Sequence, residues 1–179
     1  MGRKICLVIS SIIFVGLLGY GFLLYQNRNL SEKNLTIDIQ TQVIKTIKPQ
    51  SKISINNLDV KIELFEDVLD KRFIVYSFDN PMVEYRHSGY AIYEIKQNGK
   101  FKRIYLAWSS KPFNTAYLNV KQDGKEQKYL VVYGTNKANE KQVYKYTSGK
   151  EERIEEFSGD YFLKKYPIDE NPISFTGDN

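Results

Sequence analysis

The chain has 179 residues, a length that suits one domain, and a formal net charge of +5 from 26 basic and 21 acidic side chains. Three of the basic residues lie among the first 28 residues, which contain no acid, so the rest of the chain has 23 basic against 21 acidic side chains. That balance excludes the broad positive field that nucleic-acid binding needs, and the single cysteine, Cys6, excludes a disulfide-stapled body.

The first predicted element is a transmembrane helix from Ile5 to Tyr25. This stretch of 21 residues contains no charged side chain, and as a helix it would span a hydrocarbon core of roughly 30 Å. Cleavage as a signal peptide stays an alternative, although the best small-residue site is only Gly19-Tyr20-Gly21. Because Arg3 and Lys4 precede the segment, the N-terminus is expected inside and the C-terminal domain outside. The sequence thus predicts a single-pass protein of the cell membrane that contacts the lipid bilayer through this helix.

The second predicted element is an amphipathic helix that begins near Ser31, a suitable N-cap residue, and ends before Pro49. Its apolar stripe recurs every fourth residue and consists of Leu35, Ile39, Val43 and Ile47. Ile37 departs from this stripe, and the segment 35–39 also fits a strand. The helix is the favoured interpretation because the fourfold spacing continues past that segment.

From Ile53 onward the apolar residues alternate, and turn residues recur at short intervals. A first hairpin is predicted from the runs "VKIELF" and "RFIVYSF". Asn98-Gly99 and Asp123-Gly124 each separate two β-rich runs, which is a strong hairpin signal because both residues tolerate positive φ. A fourth hairpin is predicted around Ser148-Gly149, and the run "DYFLKKY" adds a last strand.

These elements predict an α+β fold, in which an N-terminal transmembrane helix precedes an amphipathic helix packed on an antiparallel β-meander of about 7–9 strands. The predicted domain boundaries follow from the same elements. They are a cytoplasmic stub and anchor (1–28), the amphipathic helix (29–50), the β domain (51–173) and a flexible tail (174–179).

The candidates for catalysis are few. His87, the only histidine, has Glu84 and Ser88 near it in sequence but no surrounding motif, so a solvated or hydrogen-bonding role is expected. Acidic residues cluster twice and are expected to be charge-paired on hairpins, although such groups can also bind calcium or cleave glycosides. The clusters are Glu63, Glu66, Asp67, Asp70 and Glu151, Glu152, Glu155, Glu156. The sequence therefore predicts no catalytic residue, no metal site, no cofactor and no enzyme activity, with an unfamiliar hydrolase or metal-dependent enzyme as the alternative.

A candidate binding loop lies in the segment "YLAWSSKPFNTAYLNV". Aromatic side chains that flank a small polar loop can form a recognition patch for a peptide or a glycan. The alternative is that Trp108 caps the core, as tryptophan often does. The predicted loop residues are Trp108, Ser109, Lys111, Phe113 and Tyr117.

The basic start, the single apolar segment and the cysteine-free body rich in Tyr and Lys resemble small single-pass envelope proteins of Gram-positive bacteria. The resemblance is one of layout and composition, and it implies no site residue. Proteins of this kind have no assigned function. The absence of every catalytic signature favours a membrane-anchored extracytoplasmic binding or accessory module with a protein or cell-wall partner of unknown identity and no nucleic-acid partner. A component of an envelope complex or a self-immunity protein, acting partly through its membrane helix, is the second interpretation.

Overall fold

The computed structural model describes residues 29–47, 58–79, 86–136, 142–148, 151–168 and 173–177. A 3-10 turn at Glu32–Asn34 leads into the helix α1 (Leu35–Ile47), and ten strands follow. The strands are β1 (Val60–Val68), β2 (Lys71–Asp79), β3 (Arg86–Ile95), β4 (Phe101–Ser109), β5 (Phe113–Gln122), β6 (Lys125–Thr135), β7 (Gln142–Ser148), β8 (Glu151–Phe157), β9 (Tyr161–Pro167) and β10 (Ile173–Gly177).

The helix α1 is confirmed where the sequence predicts it, and it packs by one face. The buried face consists of Leu35, Ile39, Val43 and Ile47. Ile37, which departs from the fourfold spacing, is 60% exposed. Ser31 adopts the extended conformation of an N-cap, but its side chain makes no capping hydrogen bond. The apolar stripe therefore positions the helix, as expected for helices stabilised mainly by packing.

The strands form three antiparallel sheets rather than one meander. Sheet 1 has the order β1-β2-β3-β4, sheet 2 the order β5-β6-β9, and sheet 3 the order β10-β7-β8. The four predicted hairpins are confirmed as the pairs β1/β2, β3/β4, β5/β6 and β7/β8. Gly99 and the Asp123-Gly124 pair have the positive φ that their turns require.

Two cores lie on the opposite faces of sheet 1, and strand β2 contributes to both. Ile74, Tyr76 and Phe78 belong to the helix-side core, formed with α1. Phe73 and Val75 belong to the inter-sheet core, formed with sheet 2. Because successive strand residues point to opposite faces, β2 is buried on both sides. A third group, the outer cluster of Leu130, Val132, Phe157 and Phe162, packs on the far face of β6.

Arg72 ties the entrance of α1 to the edge of sheet 1. Its guanidinium donates two hydrogen bonds to Asp67, at 2.6 and 2.8 Å, and a third to Glu32 at 2.5 Å. The same group lies over the rings of Phe65 and Phe101, 4.5 and 4.6 Å from their centroids. The paired carboxylates raise the pKa of Arg72, chiefly through the hydrogen bonds to Asp67. This contact fixes the helix at the end of sheet 1 that lies opposite the cleft described below.

The prediction of a membrane-spanning helix is corrected by the structure. Within the described residues, no helix has the length and apolar character needed to cross a bilayer. The segment Ile5 to Tyr25, on which the prediction rested, lies outside the described residues. The single-pass classification and the inside–outside placement in the cell membrane depended on that helix and are withdrawn with it. The charge-free length of the segment was evidence of apolar character, and apolar character alone does not establish a span.

The α+β class is also wrong, because the described part of the chain is mainly antiparallel β with one short helix. It contains ten strands where about 7–9 were expected. The additional strand at the C-terminal end, β10, spans Ile173–Gly177 and pairs with β7, and its residues after Ile173 lie in the region that the sequence analysis assigned to a tail. The single meander fails because the chain leaves sheet 1 after β4 and returns to sheet 2 with β9, and these changes depend on long-range packing.

Candidate functional site

A cleft of about 440 Å³ opens at one end of sheets 1 and 2. In antiparallel sheets the start of one strand lies beside the end of the next. The starts of β1, β3 and β9 and the ends of β2 and β6 therefore meet at this end. The residues that line the cleft are Lys61, Glu63, His87, Thr135, Asn136, Asp160 and Tyr161.

Glu63 forms the sheet 1 wall of the cleft. The register between β1 and β2 shifts between Ile62 and Leu64, so Glu63 is the extra residue of a β-bulge, a feature that re-aims a side chain. Its side chain is only 6% exposed. The Ser77 hydroxyl donates to Glu63 Oε1 at 2.5 Å, and Lys61 Nζ lies 3.2 Å from Glu63 Oε2. The Lys61 side chain is 64% exposed, so this cation reaches the buried carboxylate from the solvent side.

Asn136 forms part of the opposite wall, and its amide is held in one orientation. Its Nδ2 donates to the carbonyl oxygens of Phe157 at 3.0 Å and Gly159 at 2.7 Å. Its backbone N–H donates to the carbonyl of Asp160 at 3.0 Å. These bonds occupy the amide donors, whereas Oδ1 is buried and has no hydrogen-bond partner among the described residues. The side chain thus keeps an unused acceptor at the cleft wall.

His87 lies beside the cleft but is packed in an aromatic group. Its ring stacks on Phe78 with centroids 5.3 Å apart and meets the edge of Trp108 at 5.0 Å. Only 5% of the residue is exposed, and burial lowers the pKa of the imidazole. The ring is therefore packed and not solvated. The hydrogen-bonding role, which was the other expectation, stays a prediction. Gly89, two residues further on, is a strand residue whose added Cβ would lie 2.5 Å from the Tyr76 ring.

The predicted binding loop borders the cleft at the end of β4. Ser109 Oγ accepts the N–H of Lys111 at 3.0 Å, and Asn114 Nδ2 donates to the carbonyl of Lys111 at 2.8 Å. The carbonyl of Pro112 accepts the N–H of Thr135, a lining residue, at 2.8 Å. These bonds hold the loop against the end of β6.

The three aromatic residues of the predicted loop lie in different surroundings. Trp108 is half-buried against the helix-side core, and Phe113 packs on the outer cluster. Tyr117 is 63% exposed in β5, where Lys128 Nζ lies 4.4 Å from its ring centroid. The assignment of a binding role to Trp108, Ser109, Lys111, Phe113 and Tyr117 stays a prediction.

The first predicted acidic cluster is divided by the strand geometry. Glu63 enters the cleft, whereas Glu66 pairs with Lys165 at 2.5 Å on another part of β1. Asp67 pairs with Arg72, and Asp70 with Lys71 at 2.6 Å. In the second cluster, Glu155 pairs with Lys164 at 2.8 Å, and the side chains of Glu151 and Glu152 lie outside the described set. Across the described residues, no group of three or more His, Cys, Asp or Glu side chains could hold a metal ion.

Sequence reasoning missed six residues of the site, which stand in no motif and come together only through the packing of sheets 1 and 2. They are Lys61, Ser77, Thr135, Asn136, Asp160 and Tyr161. The only local signal was the polar sequence Thr135-Asn136 after the apolar run of β6.

Comparison of the chain with protein-family models, with curated proteins and with solved structures finds no match.

Proposed function

We propose that this chain is a binding module that holds a small polar ligand in the cleft between sheets 1 and 2. The observation that carries the proposal is the buried carboxylate of Glu63 at the cleft wall. Burial of a carboxylate costs several kcal/mol unless partners compensate it, and an apolar residue at such a position often gives equal or greater stability. A volume of about 440 Å³ also lies within the range of small-molecule sites.

The frame around the cleft supports this proposal because it is rigid on the side of sheet 2. The Pro112–Thr135 hydrogen bond fixes the loop to β6, and the three hydrogen bonds of Asn136 fix the turn between β8 and β9. A site whose walls are already ordered loses less conformational entropy when it binds. In this proposal the loop at Ser109–Lys111 forms the rim of the cleft. The exposed side chain of Lys111 would contact a partner there.

Binding is favoured over catalysis by the environment of His87. A general acid or base must reach the proton that it transfers. The His87 ring is packed against Phe78 and Trp108, and only 5% of the residue is exposed. The protein or cell-wall partner that the sequence analysis expected would supply the ligand, and its identity stays a prediction.

Amide chemical-shift mapping tests the proposed function. Spectra of the ¹⁵N-labelled chain are recorded with separate mixtures of small amines, carboxylic acids, amides and monosaccharides. We expect at least one mixture to shift the amides of Glu63, Thr135, Asn136 and Tyr161 together, because these residues share one cleft.

The matched pair of variants is Glu63→Gln and Glu66→Gln. Both remove a carboxylate from β1, but only Glu63 lines the cleft, whereas Glu66 pairs with Lys165 elsewhere. Loss of the shifts in Glu63→Gln alone supports the proposal. Shifts that are scattered over the surface, or that persist equally in both variants, contradict it.

A further inference from the structure

The hydrogen-bonding groups at the cleft indicate the chemical class of the ligand, an inference that rests on the proposed function. The Ser77 hydroxyl has one proton, and that proton is donated to Glu63. Both bonds of the Asn136 amide donor group go to backbone carbonyls. The donors of these two side chains are therefore used within the protein.

Acceptors remain at the same walls. Asn136 Oδ1 is buried and has no hydrogen-bond partner in the described part of the chain. Asp160 contributes an exposed carboxylate, and Glu63 contributes a buried one. The two carboxylates favour a ligand that brings hydrogen-bond donors and positive charge, because hydrogen bonds to ionised groups are the stronger ones.

Lys61 is the one described cation among the lining residues, and its geometry makes it replaceable. Its contact with Glu63 Oε2 is 3.2 Å long, compared with 2.5 Å for the hydrogen bond from Ser77 to Oε1. Because the Lys61 side chain is largely exposed, its ammonium group can return to solvent at little cost. A ligand cation could then take its place on Glu63.

From these observations we propose that the cleft binds an organic cation, through a primary ammonium group that replaces Lys61 on Glu63. Tyr161 adds an aromatic ring to the lining, a group that attracts organic cations. The ammonium group can belong to a free amine or to a lysine side chain of a peptide, since both present the same chemistry.

The test compares three probes of one size: n-butylammonium, n-butanol and butyrate. Each is titrated into the 179-residue chain while amide shifts are followed, and Nα-acetyl-lysine amide serves as the peptide form. We expect n-butylammonium to bind in the cleft more tightly than the neutral and anionic probes. Tighter binding of acetyl-lysine amide than of n-butylammonium identifies a peptide source, and equal binding identifies a free amine.

Substitution of Lys61 discriminates best between ligands, because it should change the affinity of a cationic ligand and that of an anionic ligand in opposite directions. Lys61→Met removes the competitor of a cation, so n-butylammonium should bind roughly two- to fivefold more tightly, the factor expected for an exposed ion pair. An anionic ligand would instead lose its only described cation and bind more weakly. Glu63→Gln should weaken n-butylammonium binding about tenfold or more. Asp160→Asn, at an exposed position, gives a weaker loss without risk to the fold.

The outcomes separate the two proposals. If neither these probes nor the amide and monosaccharide mixtures shift the cleft residues, the proposed function itself is contradicted. If only the amide or monosaccharide mixtures shift them, the function stands and the cationic class is overturned. If butanol or butyrate binds in the cleft as tightly as n-butylammonium, the function stands and the cationic class is overturned. If Glu63→Gln and Asp160→Asn both bind n-butylammonium as tightly as the wild type does, the cationic class is overturned as well.

Discussion

The Ser77 hydroxyl donates a hydrogen bond of 2.5 Å to Glu63 Oε1, across the bulge that carries Glu63 into the cleft. Ser77 itself is fully buried in β2. The bond therefore joins a buried donor to a buried carboxylate at the point where sheet 1 opens. It compensates part of the cost of burying the charge, and it holds the acid in place at the wall of the cleft.

Replacement of Ser77 by alanine should reduce the free energy of unfolding by about 1–3 kcal/mol, because Glu63 loses a buried donor. Urea unfolding of the variant and the wild type measures the change. Ser110→Ala, in the exposed loop after β4, serves as the control and should stay within about 0.5 kcal/mol of the wild type. Equal stability of the two variants would show that the Ser77–Glu63 bond contributes nothing.

Gly134→Ala should disrupt the contact between the rim loop and β6. An added Cβ would lie 1.9 Å from the Pro112 carbonyl oxygen and 2.7 Å from the Phe162 ring. We expect a loss of at least about 1–3 kcal/mol in the free energy of unfolding, the usual cost of overpacking. Gly99→Asn, at an open turn with φ of 69°, should cost far less because asparagine tolerates this conformation. A wild-type melting temperature for Gly134→Ala would refute the tight loop contact.

The helix and the four hairpins could be predicted because their signals are local. The fourfold spacing of Leu35 to Ile47 specifies a helix, and the turn pairs Asn98-Gly99 and Asp123-Gly124 specify reversals of the chain. The residues that carry those signals lie close together in the sequence, so the elements can be recognised without knowing how they pack against each other.

The cleft could not be predicted, because its walls come from strands far apart in the chain. Glu63 looked like one acid among several, and only the bulge in β1 separates it from Glu66. Asn136 and Tyr161 meet it through the return of β9 to sheet 2. The order of strands depends on which sheet faces pack together. An alternating apolar pattern shows which residues lie on the same face of a strand, but it does not show which strand or sheet packs against that face.

The stability of the fold should decrease as the pH falls below about 6.5, the ordinary pKa of histidine. Burial lowers the pKa of His87 in the folded state, so the unfolded chain takes up a proton first. The stabilising contribution is present above the unfolded pKa and is lost as the pH falls through the folded one. Urea midpoints between about pH 7 and about pH 5 measure the effect. His87→Phe, which keeps an aromatic ring against Phe78 and Trp108, should show a shallower decline over this range.

Alkaline conditions should also destabilise the fold, through its buried tyrosines. Burial raises the pKa values of Tyr76, Tyr93 and Tyr133, and it raises the pKa of Tyr90 to about 12. Because an unfolded tyrosine has a pKa of about 10, the unfolded chain loses protons first as the pH rises. The free energy of unfolding should therefore be lower at about pH 11 than at about pH 9, by urea titration. In Tyr90→Phe the decrease should be smaller, and an unchanged decrease would exclude Tyr90 as a contributor.

A crystal structure of the chain soaked with small organic amines would show whether the cleft holds a cation. We expect density for an amine in the cleft, with its nitrogen within hydrogen-bond distance of Glu63 and the Lys61 side chain turned toward solvent. The Glu63→Gln variant, soaked in the same way, should show no amine there. A wild-type cleft that holds only ordered water, with amines bound elsewhere on the surface, would contradict the assignment of this cleft as a site for organic cations.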